Sequence, residues 1–388
     1  MPTLLALIWN PERRRTLTSA ARELGYDVVE ATSVAEAVSQ LGNMRVDAMV
    51  TSLGRSQSES CDPLLKAVRR SRVFGLVYSA TANGDPKCRL SCFDSGARMV
   101  TNDEAAVREA LRRVAAQGKG GGHLTCPTCR LPGLTEDELH LHYPLYHASE
   151  PNQGGTCCPV CLAITDKPAV HIHNSHGPAG SREPGKPDFA AFAWVVCRRR
   201  SDGKFVMVNE PAGISRGRPG YWLPAGRVDA GETLVQAAER EALEEAGVEV
   251  KVEGVLHFML HGTTMRVVFL ARPVDEGAAC KTVPDFESVG ALWVDPGDLE
   301  GLEEADYRSD DPARYFPAVA SGRLASHSLV TDTFRALELE VRRLTQLRRV
   351  TREDGESVLG CWDQLRAEYP LSAFQEPRRI SRAGWFRK

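Results

Sequence analysis

No apolar run in this 388-residue chain approaches the roughly 18 residues that a membrane-crossing helix needs, so no transmembrane helix and no membrane partner are expected. Neither sign of charge dominates. Lys and Arg number 48 against 51 Asp and Glu, for a formal net charge of -3, which removes any general attraction to nucleic acid or to an anionic membrane. The start, MPTLLALIWNPERRR, lacks the order of a secretory signal because its apolar run precedes its basic cluster; it reads as a first β-strand. A disulfide framework is missing too, since the eleven cysteines are odd in number and four stand in metal-type pairs. A reducing compartment follows, the cytoplasm with the nucleus as the other possibility.

What is present exceeds one core, and two or three domains are expected. Residues 1–117 alternate short apolar runs with helical patterns. Strands are predicted at Leu4–Trp9, Asp27–Glu30, Ala48–Ser52, Val73–Tyr78 and Arg98–Thr101, and helices at Arg13–Leu24 and at Val34–Leu41, the latter behind Ser33 as N-cap. Five βα repeats predict a doubly wound parallel sheet. The glycines of Gly118–Gly122 mark a flexible linker, and seven of the ten histidines then fall between His123 and His176. A Pro/Gly linker at Arg182–Lys186 leads to further strands at Phe189–Cys197, Phe205–Asn209, Val252–Leu260, Thr264–Arg272 and Ala291–Val294. Beyond them Val330, Phe334, Leu337, Val341 and Leu344 form one stripe of a long helix, and the basic tail Arg378–Lys388 reads as a solvated end. The domains expected are 1–117, 123–180, 187–325 and a helical extension with its tail at 326–388.

The densest chemistry lies at Gly226–Val248, GRVDAGETLVQAAEREALEEAGV. Gly226, Asp229 and Gly231 belong to a tight loop after the apolar Tyr221-Trp222-Leu223. From Glu232 the pattern turns helical, with Leu234, Ala238 and Ala242 on one buried stripe. Glu241, Glu244 and Glu245 then stand at i, i+3 and i+4, neighbours on one helix face. Three clustered carboxylates repel one another and call for a cation. Oxygen-only ligands suit a hard ion, Mg2+ or Mn2+, which also bridges pyrophosphate oxygens and lowers the pKa of a bound water. Arg240 can hold a glutamate in its binding rotamer, and Gly247 ends the helix.

This segment fits G-x5-E-x7-R-E-U-x-E-E-x-G-U, U being aliphatic, and so resembles the signature of the Nudix hydrolases. The resemblance implies an α/β/α sandwich with a mixed sheet over about residues 187–325, and hydrolysis of a nucleoside diphosphate linked to a second moiety. It places the metals on Glu241, Glu244 and Glu245 with the carbonyl of Gly226 nearby. The general base is then one of these glutamates or a distal one, for which Glu287, six residues before Trp293, is the candidate. Ala242 departs from the family, which more often has a bulkier aliphatic there.

Two further segments carry resemblances. CPTCRLPGLTEDELHLHYPLYH sets Cys126, Cys129, His142 and His147 at C-x2-C-x12-H-x4-H, with a capping box at Thr135 and Glu138 opening the ligand-bearing helix. Sulfur and imidazole ligands at this spacing close a tetrahedral Zn2+ site, and the segment resembles a C2H2 zinc finger. A second copy has Cys158 and Cys161, then His171, His173 and His176. Val170-His171-Ile172-His173 repeats Leu139-His140-Leu141-His142, which selects His173 and His176 as ligands, with His171 and His176 the alternative. Two structural zinc ions are therefore expected. The first helix is acidic and apolar, contains Pro144, and lacks the basic and amide side chains that read bases, so a structural or protein-contact role is expected and sequence-specific DNA binding is not. In residues 1–117, GYDVVEATSVAEAV and FDSGARMV resemble a response-regulator receiver. The positions of that family's acidic pair, phosphoacceptor and lysine fall around Trp9 and Asn10, on Ser52 and near Thr101, so the reading is a degenerate receiver for docking or regulation.

For the substrate, no Pro or Tyr follows within eighteen residues of Gly247, where the ADP-ribose and diadenosine-polyphosphate branches tend to carry one. GYWLPAGRVDAGE and MRVVFLARP look like the branch that hydrolyses 8-oxo-guanine nucleoside diphosphates, and Asp310-Asp311 ahead of Tyr315-Phe316-Pro317 resembles the acidic pair that grips an oxidised base. The expectation is a pyrophosphohydrolase for modified purine nucleotides. Two alternatives stay open: a hydrolase of another diphosphate such as capped RNA, and a scaffold built on the receiver-like and zinc modules.

Overall fold

The computed structural model describes residues 1–53, 62–69, 72–117, 119, 121–148, 155–177, 190–214, 218–229, 232–261 and 264–326. The predicted helix over Val330–Leu344, the basic tail, the Arg182–Lys186 linker and Gly231 lie outside them.

In chain order the first elements are β1 (Thr3–Leu7), α1 (Pro11–Glu23), β2 (Asp27–Glu30), α2 (Val34–Asn43), β3 (Ala48–Thr51), α3 (Asp62–Arg69), β4 (Phe74–Tyr78), α4 (Ala80–Gly84), α5 (Pro86–Ser95), β5 (Met99–Thr101) and α6 (Glu104–Ala116). The Cys/His segment gives α7 (Glu136–His147), β6 (Thr156–Cys157), β7 (Ile164–Thr165) and α8 (Pro168–His176). There follow β8 (Ala190–Cys197), β9 (Phe205–Glu210), β10 (Gly220–Trp222), β11 (Ala225–Arg227), α9 (Leu234–Ala246), β12 (Val250–His261), β13 (Thr264–Pro273), β14 (Ala291–Val294) and α10 (Asp311–Ala320). The chain divides into two compact units. The first comprises Met1–Pro184, Met207–Trp222 and Cys280–Asp310, the second Gly185–Val206, Leu223–Ala279 and the chain from Asp311.

In the first unit a five-stranded sheet has the order β2-β1-β3-β4-β5, and every pairing is parallel. The three central strands are almost wholly buried, as expected when helices cover both faces. The cap at Ser33 forms as its sequence predicts, its side chain accepting the Glu36 amide. The first strand stops short of the predicted Trp9, because the Trp9 amide donates to Ser52 Oγ at 3.1 Å and Asn10 caps α1, accepting the Glu12 and Arg13 amides. Thr101 Oγ1 accepts the Asp103 amide at 3.0 Å. Ser52, Asn10 and Thr101 thus bond to nearby backbone at the positions where a receiver would carry its reactive groups.

The expected linker differs at its end. Gly122 lies so close to the Leu134 backbone that a Cβ there would sit 2.0 Å from the Leu134 oxygen, and Leu124 bridges Leu134 in antiparallel fashion. Further along the first unit, the fully buried Arg89 on α5 donates through Nη1 to Asn83 Oδ1 at 2.7 Å and to the Val100 carbonyl. Its Nη2 donates to the Val289 carbonyl at 3.3 Å, joining the segment that starts at Cys280 to the N-terminal fold.

In the second unit a mixed four-stranded sheet has the order β11-β8-β13-β12. Strand β13 runs parallel to β8 and antiparallel to β12. Helix α9 packs against β8, β11 and β12, and its apolar face is small: Ala237, Ala238, Ala242 and Ala246 are all buried. Alanines allow close approach to the sheet, which accounts for the tolerated Ala242. Among the described residues no helix is long and apolar enough to cross a membrane.

Candidate active site and Cys/His centres

The chain around α9 explains its own geometry. Thr233 caps the helix, its side chain accepting the Gln236 amide while Gln236 accepts the Thr233 amide, a reciprocal capping box. Gly247 ends it in the left-handed conformation, φ 69°. Between these caps Glu241 and Glu245 face inward, 6% and 4% exposed, while the Glu244 side chain is 43% exposed.

Each carboxylate has a fixed support. Arg240 Nη1 donates to Glu241 Oε1 and to Glu244 Oε2, both at 2.8 Å. Its Nε and Nη2 take Glu232 Oε1 and Oε2 at 2.8 and 3.1 Å, and Nη2 also donates to the Arg227 carbonyl at 2.9 Å. Burial opposes this ion's charge, yet Glu232, Glu241 and Glu244 together hold its pKa above the ordinary arginine value. Glu245 Oε2 accepts the Ala225 amide at 2.9 Å. Gly226 passes directly over Glu241: a Cβ there would lie 1.9 Å from Oε1 and 2.5 Å from Oε2. A side chain at this position would have to displace the Glu241 carboxylate. The result is an oxygen-rich, anionic patch, fixed at its base and open at Glu244. Its donors and charge fit a hard divalent cation.

The structure thus brings together Gly226, Arg240, Glu241, Glu244 and Glu245. It also recruits Glu232, which was read as the first helical residue and not as part of the site. Glu232 braces Arg240 and accepts the Asp229 amide at 3.1 Å, and its place in the G-x5-E-x7-R spacing is the available signal. Glu287 belongs to the first unit, where its amide donates to Asp285 Oδ1 at 3.0 Å. Asp310 is the last residue of the first unit. Asp311 is buried in the second, as the first residue of α10.

The Cys/His segment yields two groups of four whose ligand atoms lie within 4.8 Å of one another: Cys126, Cys129, His142 and His147, and Cys158, Cys161, His171 and His176. In the first, Cys126 Sγ lies 3.5 Å from His147 Nε2, Cys129 Sγ 3.3 Å from His142 Nε2, and the two Nε2 atoms 3.1 Å apart. Tetrahedral bonding to zinc implies about 3.3 Å between nitrogens and about 3.6 Å between sulfur and nitrogen, so these separations suit one central ion. The Cys129 thiol is held well below its ordinary pKa by the Cys126 side chain, then by His142 and His147, while burial first and then His147 push His142 down. Those shifts favour the thiolate at Cys129 and neutral imidazole, which are ligating forms, while Cys129 and burial push the Cys126 thiol up. His142 Nδ1 meets Gln117 Oε1 at 3.0 Å, the outer contact that orients a ligating ring. The described cysteines form no disulfide.

In the second group His171 stands where the sequence repeat selects His173. Cys161 Sγ is 3.3 Å from His171 Nε2. His173 Nδ1 instead meets His140 Nε2 at 3.0 Å, and both rings stack on Phe286. The x4 interval explains the difference. His142 and His147 are separated by four residues, and so are His171 and His176; aligning Val170-His171-Ile172-His173 with Leu139-His140-Leu141-His142 points two residues further on, to His173.

The NUDIX domain family matches residues 172–316. Putative nudix hydrolase 1 of Caenorhabditis elegans is 32% identical over 114 residues, 29% of this chain and 30% of that protein. The human 8-oxo-dGDP phosphatase NUDT18 is 42% identical over 77 residues, 20% of this chain and 24% of the relative. The chain therefore spans less than a third of either relative's length. By contrast, phosphatase NudJ of Escherichia coli O1:K1 / APEC is 37% identical over 147 residues, 37% of this chain and 93% of that protein.

Proposed function

This chain belongs to the Nudix family and is a hydrolase acting on pyrophosphate bonds, and on that premise we propose that its substrate is a modified purine nucleoside diphosphate, of the 8-oxo-guanine kind. The observation that carries the chemistry is the carboxylate set of Glu241, Glu244 and Glu245, locked by Arg240, the Ala225 amide and the Gly226 backbone. Nudix enzymes generally use Mg2+ or Mn2+; the three glutamates would hold it, with the Gly226 carbonyl beside them, and the ion supplies charge neutralisation on the pyrophosphate and an acidified water. Arg240 keeps Glu241 and Glu244 in one orientation, so ligand geometry is set before substrate arrives. Glu245 is fixed through its backbone contact, and the half-exposed Glu244 faces the side from which substrate enters. A glutamate then takes the proton of the attacking water, either within this set or at Glu287. The P–O bond of the pyrophosphate breaks and a nucleoside monophosphate leaves.

The base specificity has two supports. The segment GYWLPAGRVDAGE lies within the family match, and a relative 42% identical over 77 residues is named for 8-oxo-dGDP. Asp310 and Asp311 precede the buried Tyr315 and Phe316 of α10, and a carboxyl there would hydrogen-bond a purine edge. Each Cys/His group holds a structural zinc ion in this reading, and residues 1–117 are a degenerate receiver that contacts protein. Capped RNA is the weaker substrate reading, because Leu139, Tyr143, Leu145 and Tyr146 of α7 are buried and leave that helix little surface for a nucleic acid.

The full-length protein with Mg2+ and a panel of 8-oxo-dGDP, dGDP, ADP-ribose and capped RNA provides the test, read as monophosphate released. The proposal expects 8-oxo-dGDP to be preferred over dGDP by about tenfold or more, the scale set by one discriminating base contact. Equal turnover of the two, or a preference for ADP-ribose or capped RNA, refutes the base assignment. No turnover of any substrate favours the scaffold alternative.

A further inference from the structure

The two Cys/His groups have similar ligands and differ in how far those ligands are buried. Cys126 and His142 are fully buried, His147 is 5% exposed and Cys129 is half-buried. Their helix is part of the N-terminal core. Leu145 and Tyr146 share a cluster with Leu4, Phe74 and Leu76, while Leu139 and Tyr143 share another with Leu5 and Met49. Leu4 and Leu5 are consecutive on β1 and point to opposite sheet faces, so the ligand helix feeds the packing associated with both. Tyr146 links ligand to sheet directly: its ring stacks on His142 at 4.7 Å and meets Phe74 of β4 at 5.7 Å, with Arg98 above it at 5.6 Å. The other side of His142 is held by Gln117, the residue that caps α6. The carbonyl of Ala148, which follows α7, accepts the Gly213 amide at 2.7 Å.

Among the described residues the second group is covered on one side only: Ala169 and Ile172 of its helix share the cluster of Leu139 and Tyr143, and its cysteine hairpin lies open. Cys158 is buried, but Cys161 is exposed and His171 and His176 are half-buried. Its β6–β7 hairpin pairs only two residues on each side, and the adjoining Leu162 and Ile164 are 74% and 68% exposed.

We propose that the first Cys/His group is a locked brace joining α7 to the N-terminal sheet, whose ion leaves only when that core unfolds, and that the second is an exchangeable site in the native chain. The inference rests on the reading of both groups as zinc sites. For an ion to leave, water or a competing ligand must reach the coordinating atoms. At an exposed hairpin the opening required is local and of low free energy, whereas in a core it approaches the free energy of global unfolding. The ligands are alike, so the difference in exchange comes from burial.

The test uses the zinc-loaded full chain, with total zinc measured by elemental analysis and release followed with a chromogenic chelator. We expect two equivalents per chain. One is released from the native protein, and the other at least about 100-fold more slowly, in step with loss of near-ultraviolet circular dichroism, as expected when one site opens locally and the other only with its core. The C161S variant should retain a native spectrum and one equivalent, the slow one. Two equivalents released at equal rates from the native protein overturn the proposal, as does loss of the slow equivalent in C161S. If zinc-supplemented protein holds fewer than two equivalents, the reading of the sites as a zinc pair falls and the proposal with it.

Discussion

The glutamate face of α9 and the first Cys/His group are both dense sets of ligating side chains, and they are closed to different degrees. The glutamates have a buried base, in Glu241 and Glu245, and an open side at Glu244. An arginine inside the set offsets their mutual repulsion. The Cys/His group turns all four ligand atoms toward one another inside a shared apolar core. Structural metal sites are closed and catalytic ones keep a position for substrate or water, so this contrast supports the proposed division, with chemistry at one region and folding at the other.

The largest effect that can break this division is loss of turnover without loss of fold. Glu245→Gln should lower kcat by about 1,000-fold, within the range for removing a group that acts in the reaction, while the melting temperature stays nearly unchanged. A stable variant with full activity would remove α9 from the chemistry. Cys126→Ser should do the converse, lowering the stability of the first unit by about 4 kcal/mol, as when a metal is lost from a core; denaturant titration measures it. An unfolding midpoint unaffected by that change would detach the group from the fold. Gly226→Ala places a methyl against the Glu241 carboxylate and should reduce kcat by about 100-fold, the penalty for displacing a positioned group by an ångström, with KM little altered. Arg240→Met leaves Glu232, Glu241 and Glu244 uncompensated and should cost about 2 kcal/mol, below the range for a fully buried pair because the arginine is partly solvated. Added Mg2+ should raise the melting temperature of this variant more than that of the parent, and an equal rise in both would mean that the ion and Arg240 do not share these carboxylates.

Legibility in the sequence followed the range of the interactions. The five strands and first helices of the N-terminal sheet, the caps at Ser33 and Thr135, and the Gly247 terminus are local events governed by neighbouring residues, and they fall within two residues of where the pattern put them. The fixed intervals of Gly226–Val248 likewise place three glutamates and an arginine on one turn of helix, because helical geometry converts spacing into proximity. The choice between His171 and His173 was legible in part, in the four-residue interval from His171 to His176, and the rest was not local. It depended on which ring the β6–β7 hairpin meets and which one Phe286 accepts, and Phe286 is more than a hundred residues away.

The sequence by itself therefore determined the family and the residue types gathered at each candidate centre, since these depend on side-chain chemistry at short separations. The tertiary structure decided that Glu232 braces Arg240, that Gly226 has no room for a side chain, and that His171 joins the second group. It also decided that Cys126, His142 and His147 of the first Cys/His group are buried against the N-terminal core. Each of these depends on the approach of segments distant in the chain, where steric fit and burial select among partners that residue type leaves equivalent.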